Sequence, residues 1–126
     1  MLKLIKKLFG DKHEKDLKVL WPIVTEINSH YETVKNLTND ELINKTKEFK
    51  EKVQAHTEET RKNISDLKTR LQSDEDFDRN AAYDELDGLE EKLNDEYEEI
   101  LDELLPEAYA VVKSTCQRLV GTSWTV

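Results

Sequence analysis

The sequence has few of the residues that form tight turns. Its 126 residues include only three glycines and two prolines, while charged residues make up 37% of the chain. Strand-rich folds need more glycine and proline for their turns, so this composition favours helices. The apolar fraction is also 37%, which is small for a rounded core. We therefore expect extended packing of two or three helices.

Cysteine and histidine are also scarce, which limits the available chemistry. The single Cys116 excludes an internal disulfide, and its apolar surroundings predict a small buried residue. His13, His30 and His56 lie far apart and lack the spacing of zinc ligands. The glycines stand alone, so no phosphate-binding loop is predicted. The sequence contains no stripe of basic residues interleaved with aromatic ones, so nucleic-acid binding is not predicted. The residues alone indicate no catalytic, cofactor or metal site.

Long apolar runs are absent as well. No segment reaches the length of a membrane-spanning helix. Lysines interrupt the apolar residues near the N-terminus, which argues against a secretory signal. We therefore expect a cytoplasmic protein.

The acidity of the chain is concentrated in one segment. The formal net charge is −9. Residues 74–104 contain 15 acidic and two basic residues, whereas residues 1–73 contain 12 acidic and 15 basic ones. Charge of opposite sign on neighbouring segments would favour their pairing, although an exposed ion pair adds only about 0.2–1 kcal/mol.

The first ten residues, MLKLIKKLFG, form a basic segment with apolar residues at helical spacing. Apolar side chains can insert into a membrane interface, and each lysine near anionic lipid contributes about 1 kcal/mol. The candidate membrane or partner contacts are Leu2, Lys3, Leu4, Lys6, Lys7, Leu8 and Phe9. The alternative is that this segment packs on the body of the protein.

A second helix is predicted to complete residues 1–35. Its apolar stripe is formed by Leu17, Leu20, Trp21, Val24 and Ile27. Pro22 lies inside this stripe and either kinks or ends the helix.

Residues 37–104 predict a long antiparallel helical hairpin. Thr38 and Glu41 form a capping box at the start of a continuous first arm over 39–72, and a loop near 73–80 joins it to the second arm. Gly88 is a weak point in that arm. Apolar residues recur in steps of three and four along both arms, and this seam is typical of a coiled coil. The seam residues are Leu42, Phe49, Val53, Ile64, Leu67 and Leu71 in the first arm and Leu86, Leu89, Leu93, Tyr97, Ile100 and Leu104 in the second.

Residues 105–126 predict a last helix followed by the start of a strand. Pro106 suits the first turn of a helix, where its missing N–H is not needed. Gly121 suits the end of the helix, and residues 122–126 have strand character. The fold class predicted is all-α, with a coiled-coil-like antiparallel hairpin packed with shorter helices.

Two motifs resemble those of a known protein family. Residues 37–49, LTNDELINKTKEF, are similar to an L-S-D-E-E-L segment and the K-T-x-E-F that follows it. Residues 104–112, LLPEAYAVV, with Arg118 and Gly121, resemble a helix of the form L-[IL]-P-E-A-[FY]-A-V-V-R. These motifs, and the opening segment ending in KLFG, resemble the SecA family, the ATPases that drive preproteins through the SecY channel. The resemblance covers about residues 1–53 and 104–121.

The resemblance implies that this chain is the N-terminal segment of the motor, with residues 105–126 leading into an α/β domain. It implies ATP and Mg²⁺ for the whole motor, whose nucleotide-binding motifs do not occur here, so this segment alone is expected to be inactive. The implied partners are the SecY channel complex, preproteins, an anionic membrane surface and a possible second copy. The implied location is the cytoplasmic face of the inner membrane, with peripheral attachment.

Residues 54–103 depart from the family pattern, in which the corresponding connection is much shorter. We expect most of this segment to be an insertion, which serves either as a tolerated surface element or as a docking arm. The alternative function for the whole chain is a free-standing helical adaptor, with a membrane-surface helix and a hairpin that binds partner helices.

Overall fold

The computed structural model describes residues 12–73 and 78–123, and helices account for most of them. The helices are α1 (Lys12–Val34), α2 (Asn39–His56), α3 (Glu58–Leu71) and α4 (Arg79–Leu119). The described residues contain no strand, which confirms the predicted all-α class. Of the strand start predicted at 122–126, residues 122 and 123 are described and are not in a strand, and the others lie outside the described residues. No helix in the described ranges is long and apolar enough to cross a membrane.

The chain divides into two compact units. The terminal unit contains described residues 12–42 and 106–123, and the hairpin unit contains Ile43–Leu105 without the undescribed loop residues. In the terminal unit, Val34, Leu42 and Ala110 form a buried cluster. Partly buried apolar side chains pack around it, namely Ile27, Tyr31, Leu37 and Val111.

The hairpin unit confirms the predicted antiparallel pair of arms. Its buried apolar residues come from both arms: Ile64, Leu67, Ala82, Ile100 and Leu104. Arg79 donates from Nη1 to the carbonyl oxygen of Leu71 at 3.1 Å and from Nη2 to that of Ser73 at 3.0 Å. These bonds tie the start of α4 to the end of α3 across the loop.

The start of α4 is capped by a side chain. Asp78 Oδ1 accepts hydrogen bonds from the backbone N–H groups of Asn80 at 3.0 Å and Ala81 at 3.1 Å. These N–H groups have no carbonyl partner within the helix, so the aspartate stabilises its first turn.

The first arm is not the continuous helix that the sequence predicts. Thr57 separates α2 from α3 and is fully buried. Its hydroxyl donates to the carbonyl oxygen of Val53 at 3.0 Å. A threonine that bonds back to the residue four positions earlier competes with the helical ladder and tends to bend the helix.

Both prolines lie inside helices. Pro22 is within α1, so the helix does not end there. The prediction that Pro106 begins a helix is wrong, because α4 runs through it over 41 residues. A proline removes one hydrogen bond from a helix interior. Pro106 is buried, and we attribute its tolerance to the packing of its ring.

Candidate functional site

The predicted contact residues Leu2 to Phe9 lie outside the described residues, so their contact with a membrane or partner stays a prediction. The structure does describe the residues of both family-like motifs. It brings residues 37–42 of the first motif and residues 106–112 of the second together in the terminal unit. This junction is the candidate functional site.

The first motif begins with the predicted capping box. The Thr38 N–H and Oγ1 both donate to Glu41 Oε2, at 2.7 Å and 2.9 Å. In return, the backbone N–H of Glu41 donates to Thr38 Oγ1 at 3.3 Å. The backbone bond and then the hydroxyl bond lower the pKa of the Glu41 carboxyl, because both stabilise its charged form. The box fixes where α2 begins.

Arg118, in the second motif, contacts the chain where α2 begins. Its Nη2 donates to the carbonyl oxygen of Leu37 at 2.6 Å, and its Nη1 donates to Asn39 Oδ1 at 2.6 Å. The planar guanidinium presents both donors in a fixed fork. Because Leu37 and Asn39 flank the capping threonine, one side chain braces the whole turn.

Lys113 makes the corresponding contact with α1. Its Nζ donates to Asn28 Oδ1 at 2.7 Å and lies 4.3 Å from the centroid of the Tyr31 ring. An ammonium over an aromatic face is attracted by about 0.5–1 kcal/mol at exposed sites. Sequence reasoning missed this contact, although Asn28 and Tyr31 are three positions apart and so share a helix face.

The core between these contacts is small. The exposed fractions of Ala110 and Ser114 of α4 are 0% and 2%. The two residues are one helical turn apart and therefore lie on the same face of α4. Short side chains let α4 approach the cluster that contains Val34 and Leu42. Lys113 and Arg118 flank this face, so the charges border the core and stay outside it.

The apolar stripe predicted on α1 is only partly covered. Exposure falls along the helix from 52% at Leu20 to 38% at Val24 and 2% at Val34. Trp21 is 61% exposed. The half of α1 near Val34 therefore belongs to the core, whereas the half near Leu20 presents apolar side chains at the surface.

Cys116 is exposed, which corrects the prediction that it is buried. It lies on the side of α4 opposite Ala110 and Ser114, so the apolar character of the helix did not indicate which face would be covered. Within the described ranges, no group of three His, Cys, Asp or Glu side chains is placed to hold a metal ion.

The hairpin unit shows the predicted pairing of opposite charges. Lys68 Nζ on the first arm and Glu90 Oε1 on the second are 2.8 Å apart. The seam also contains a polar contact, in which Thr60 Oγ1 donates to Glu96 Oε1 at 2.8 Å. These contacts fix the register of the two arms.

Comparison with known proteins identifies the family. The family model of the SecA DEAD-like domain matches residues 5–124. The chain belongs to the SecA family. This confirms the resemblance drawn from the two motifs. The match to SecA also runs through residues 54–103, where the expectation of an insertion stays a prediction.

Three SecA relatives give the extent of the similarity. The chain is 43% identical over 128 residues to a protein translocase subunit SecA of Chloroherpeton thalassium. It is 39% identical over 145 residues to that of Salinibacter ruber and 40% identical over 129 residues to that of Prosthecochloris aestuarii. These alignments cover 98–100% of this chain and 12% of each relative. The chain thus spans about 12% of their length. No solved structure matches the chain.

Proposed function

We propose that this chain is the N-terminal segment of an ATP-driven SecA motor that moves preproteins through the SecY channel. The observation that carries this proposal is the bond from Arg118 to the carbonyl oxygen of Leu37. It joins the two family-like motifs at their ends, and the family match covers both. This hydrogen bond holds the two segments of the terminal unit in a defined arrangement, which supports a structural role for the segment within the motor.

The segment's role in this proposal is docking and support. Its described residues do not fit a nucleotide: Gly88 lies inside α4 and Gly121 just after it, so neither belongs to a glycine-rich loop that could cradle phosphates. ATP, Mg²⁺ and hydrolysis are therefore assigned to other parts of the motor. We expect residues 1–126 alone to have no ATPase activity.

Residues 1–10 provide the docking element in this proposal. Their lysines and apolar side chains suit an anionic lipid surface, which supports the proposed peripheral attachment at the cytoplasmic face of the inner membrane. They directly precede α1, whose far end is held by Lys113 and by the core around Val34. Force on the docked segment would therefore reach the braced junction. The SecY complex, preproteins and a second copy are the proposed partners.

The alternative, a free-standing helical adaptor, is less well supported. An adaptor would require only a membrane helix and a partner-binding hairpin. The SecA match extends from residue 5 to residue 124 and includes the terminal unit as well as the hairpin unit. A translocase segment accounts for this whole range.

A chimera tests the motor assignment. Residues 1–126 replace the matched segment of the Chloroherpeton thalassium SecA, and ATPase activity and preprotein transport are measured with SecY-containing vesicles. We expect a chimera that is active in both assays. A well-folded chimera without either activity would contradict the assignment.

Charge reversal tests the docking role. Lys3, Lys6 and Lys7 are changed together to Glu in the chimera, and binding to vesicles with and without anionic lipid is measured. The matched control changes three exposed lysines of α2, Lys47, Lys50 and Lys52, to Glu. We expect only the first variant to lose most of its binding to anionic vesicles. Equal losses would indicate general electrostatics instead of a docking element.

A further inference from the structure

The second arm of the hairpin has a further row of mainly apolar side chains beside its seam. The members of this row, here called the side row, are spaced by three or four residues and so lie on one side of α4: Tyr83, Leu86, Glu90, Asn94, Tyr97 and Leu101. The exposed fraction is 53% for Tyr83 and 55% for Leu101, while Leu86 and Tyr97 are partly buried. The side row is therefore a surface of the hairpin unit.

The side row makes the apolar face of the second arm wider than a two-helix pairing needs. Ala82 and Ile100 of the seam are buried, and Tyr83 and Leu101 come one position after them. A helix that packs in a pair needs only a narrow apolar seam, whereas a helix in a larger bundle has a wider apolar face. The second arm thus has the pattern of a helix that packs against one more helix.

The middle of the side row is polar. Glu90 Oε1 accepts a hydrogen bond from Lys68 Nζ at 2.8 Å, and Asn94 is exposed. A single asparagine in an otherwise apolar row fixes the register of a helical partner. From Tyr83 to Leu101 the row extends over about 27 Å, or about five helical turns. Its length suits a helix that makes apolar contacts near both ends and a polar contact between them.

Acidic side chains border the side row on the side away from the seam. The border consists of exposed residues that each come one position after a member of the row, namely Asp87, Glu91, Glu98 and Asp102. In the part of the chain that the structure describes, the lysines in ion pairs with this arm reach Glu90 and Glu96 instead. The border therefore remains negatively charged.

We propose that the side row binds a basic amphipathic helix of a partner protein. The apolar side of such a helix covers Tyr83, Tyr97 and Leu101, and its Lys or Arg side chains pair with the acidic border. Helices that dock on an apolar face are held by side chains at this three-and-four spacing, and opposite charge beside the face selects the partner. The inference concerns the hairpin unit alone, so it does not depend on the motor assignment.

Charge disfavours two other occupants of the side row. Residues 43–105 contain 20 acidic and 10 basic residues, so a second copy of the hairpin unit would bring like charges together. A membrane surface that contains anionic lipid attracts basic segments and repels this one. A positively charged helix is the occupant that complements both the apolar row and its border.

A designed peptide serves as the probe. The sequence LKKLLKKLLKKLLKKLLK forms a helix about 27 Å long with one apolar and one basic side. Its binding to the 126-residue chain is measured by fluorescence anisotropy. A second peptide, in which serine replaces every leucine, keeps the charge and removes the apolar side. We expect the leucine peptide to bind at least about tenfold more tightly than the serine peptide, because only its side chains gain from burial.

Matched apolar variants locate the binding site. Leu101→Gln removes an apolar member of the side row, and we expect it to weaken binding of the leucine peptide at least about fivefold, as for an important interface side chain. The control is Ile43→Gln, because Ile43 is 70% exposed on α2 and is not a member of the row. It should leave binding unchanged. Circular dichroism should show the same helix content in both variants.

Matched charge variants test the acidic border. The first double variant combines Asp87→Asn with Glu98→Gln, and the second combines Glu85→Gln with Glu103→Gln. Each removes two exposed negative charges from the second arm, but Glu85 and Glu103 lie on its other side. We expect only the first double variant to weaken binding, and we expect this difference to shrink at high salt.

Several outcomes would overturn this proposal and leave the motor assignment standing, since the latter is tested by the activity of the chimera. These are equal binding of the two peptides, equal losses in the two charge variants, or self-association of the chain that Leu101→Gln abolishes. The rest of a SecA polypeptide is tested as an occupant by maleimide labelling of Leu101→Cys in a Cys116→Ser background. Labelling that is much slower in the chimera than in the chain, without any peptide, would also overturn the proposal.

Discussion

The Arg118 guanidinium and the Leu37 carbonyl oxygen are 2.6 Å apart although 81 positions separate the two residues in the sequence. The same side chain reaches Asn39, on the other side of the capping threonine. Leu42 of the first motif and Ala110 of the second also share a buried cluster, and the bond from Arg118 adds a polar contact between the two segments of the terminal unit. Its loss should loosen the unit without altering the hairpin seam.

Removing this contact should destabilise the terminal unit. Arg118→Ala leaves the Leu37 carbonyl without its charged donor, and hydrogen bonds to charged groups contribute about 1.5–3 kcal/mol. Arg118→Lys should lose part of this, because an ammonium lacks the two-pronged geometry. Urea unfolding measures the change, and Gln117→Ala, on an exposed neighbour, is the control. If Arg118→Ala unfolds at the same urea concentration as the control, the brace contributes nothing.

The capping box should make stability depend on pH. The pKa of Glu41 is lowered in the folded protein by its bonds from Thr38, relative to an unfolded value of about 4.3. The resulting stabilisation is fully present above the unfolded pKa and is lost as the pH falls through the lower folded pKa. In Glu41→Gln this loss should be absent. The free energy of unfolding, measured by urea titration at several pH values down to strong acid, checks the sign.

Thr38→Ala tests the same box from its other side. It removes the hydroxyl that both donates to Glu41 and accepts from it, and loss of such a cap costs about 1 kcal/mol at neutral pH. The acid dependence should also become shallower, because one cause of the lowered pKa is gone. Thr46→Ala, an exposed threonine within α2, should be neutral or slightly stabilising. Equal effects of the two alanines would argue against the box.

The polar contact in the hairpin seam should show strong coupling. Thr60 is 1% exposed, and its hydroxyl bonds to Glu96 Oε1, while the other carboxylate oxygen is buried without a partner in the described residues. Thr60→Val should cost about 1–3 kcal/mol, because the partly buried Glu96 carboxylate loses the hydroxyl donor and is left with the Lys92 ammonium, 3.5 Å from Oε1. Replacing both partners, Thr60→Val with Glu96→Leu, should cost less than the sum of the single changes.

Thermal unfolding of the two single variants and the double variant gives the coupling energy. Thr69→Val is the control, because Thr69 is exposed and bonds only to the carbonyl oxygen of Ser65 on its own helix. Its effect should stay within about 0.5 kcal/mol. Strict additivity of Thr60→Val and Glu96→Leu would mean that the contact does not contribute to pairing.

Local rules predicted the parts of this fold that depend on nearby residues. The box at Thr38 and Glu41 satisfies backbone N–H groups within three positions, so its sequence pattern is sufficient. Most of the hairpin seam was also predictable, because its three-and-four spacing admits one buried face. Leu42 is the exception, since it lies in the core of the terminal unit and not in the seam. The two family-like motifs identified the family but not the contact between them.

Contacts that depend on tertiary packing could not be predicted in this way. Pro106 carries a strong local signal to begin a helix, yet the structure buries its ring and continues α4. The sequence predicts a continuous first arm over 39–72, and only the structure shows the break at Thr57. Cys116 lies on a helix apolar on both sides, so composition could not tell which side is covered.

Two glycines, Gly88 inside α4 and Gly121 just after it, should respond oppositely to the same substitution. Gly88 lies in the helix interior, and a methyl group added there would meet no atom within 4 Å. Gly88→Ala should therefore stabilise the hairpin unit by about 0.4–1 kcal/mol, since alanine loses less backbone entropy on folding. Gly121 has a φ of +81° just after the end of α4, where alanine costs about 1–2 kcal/mol. Thermal unfolding of both variants measures the difference. A shift in the same direction would show that backbone conformation does not decide the effect at these two sites.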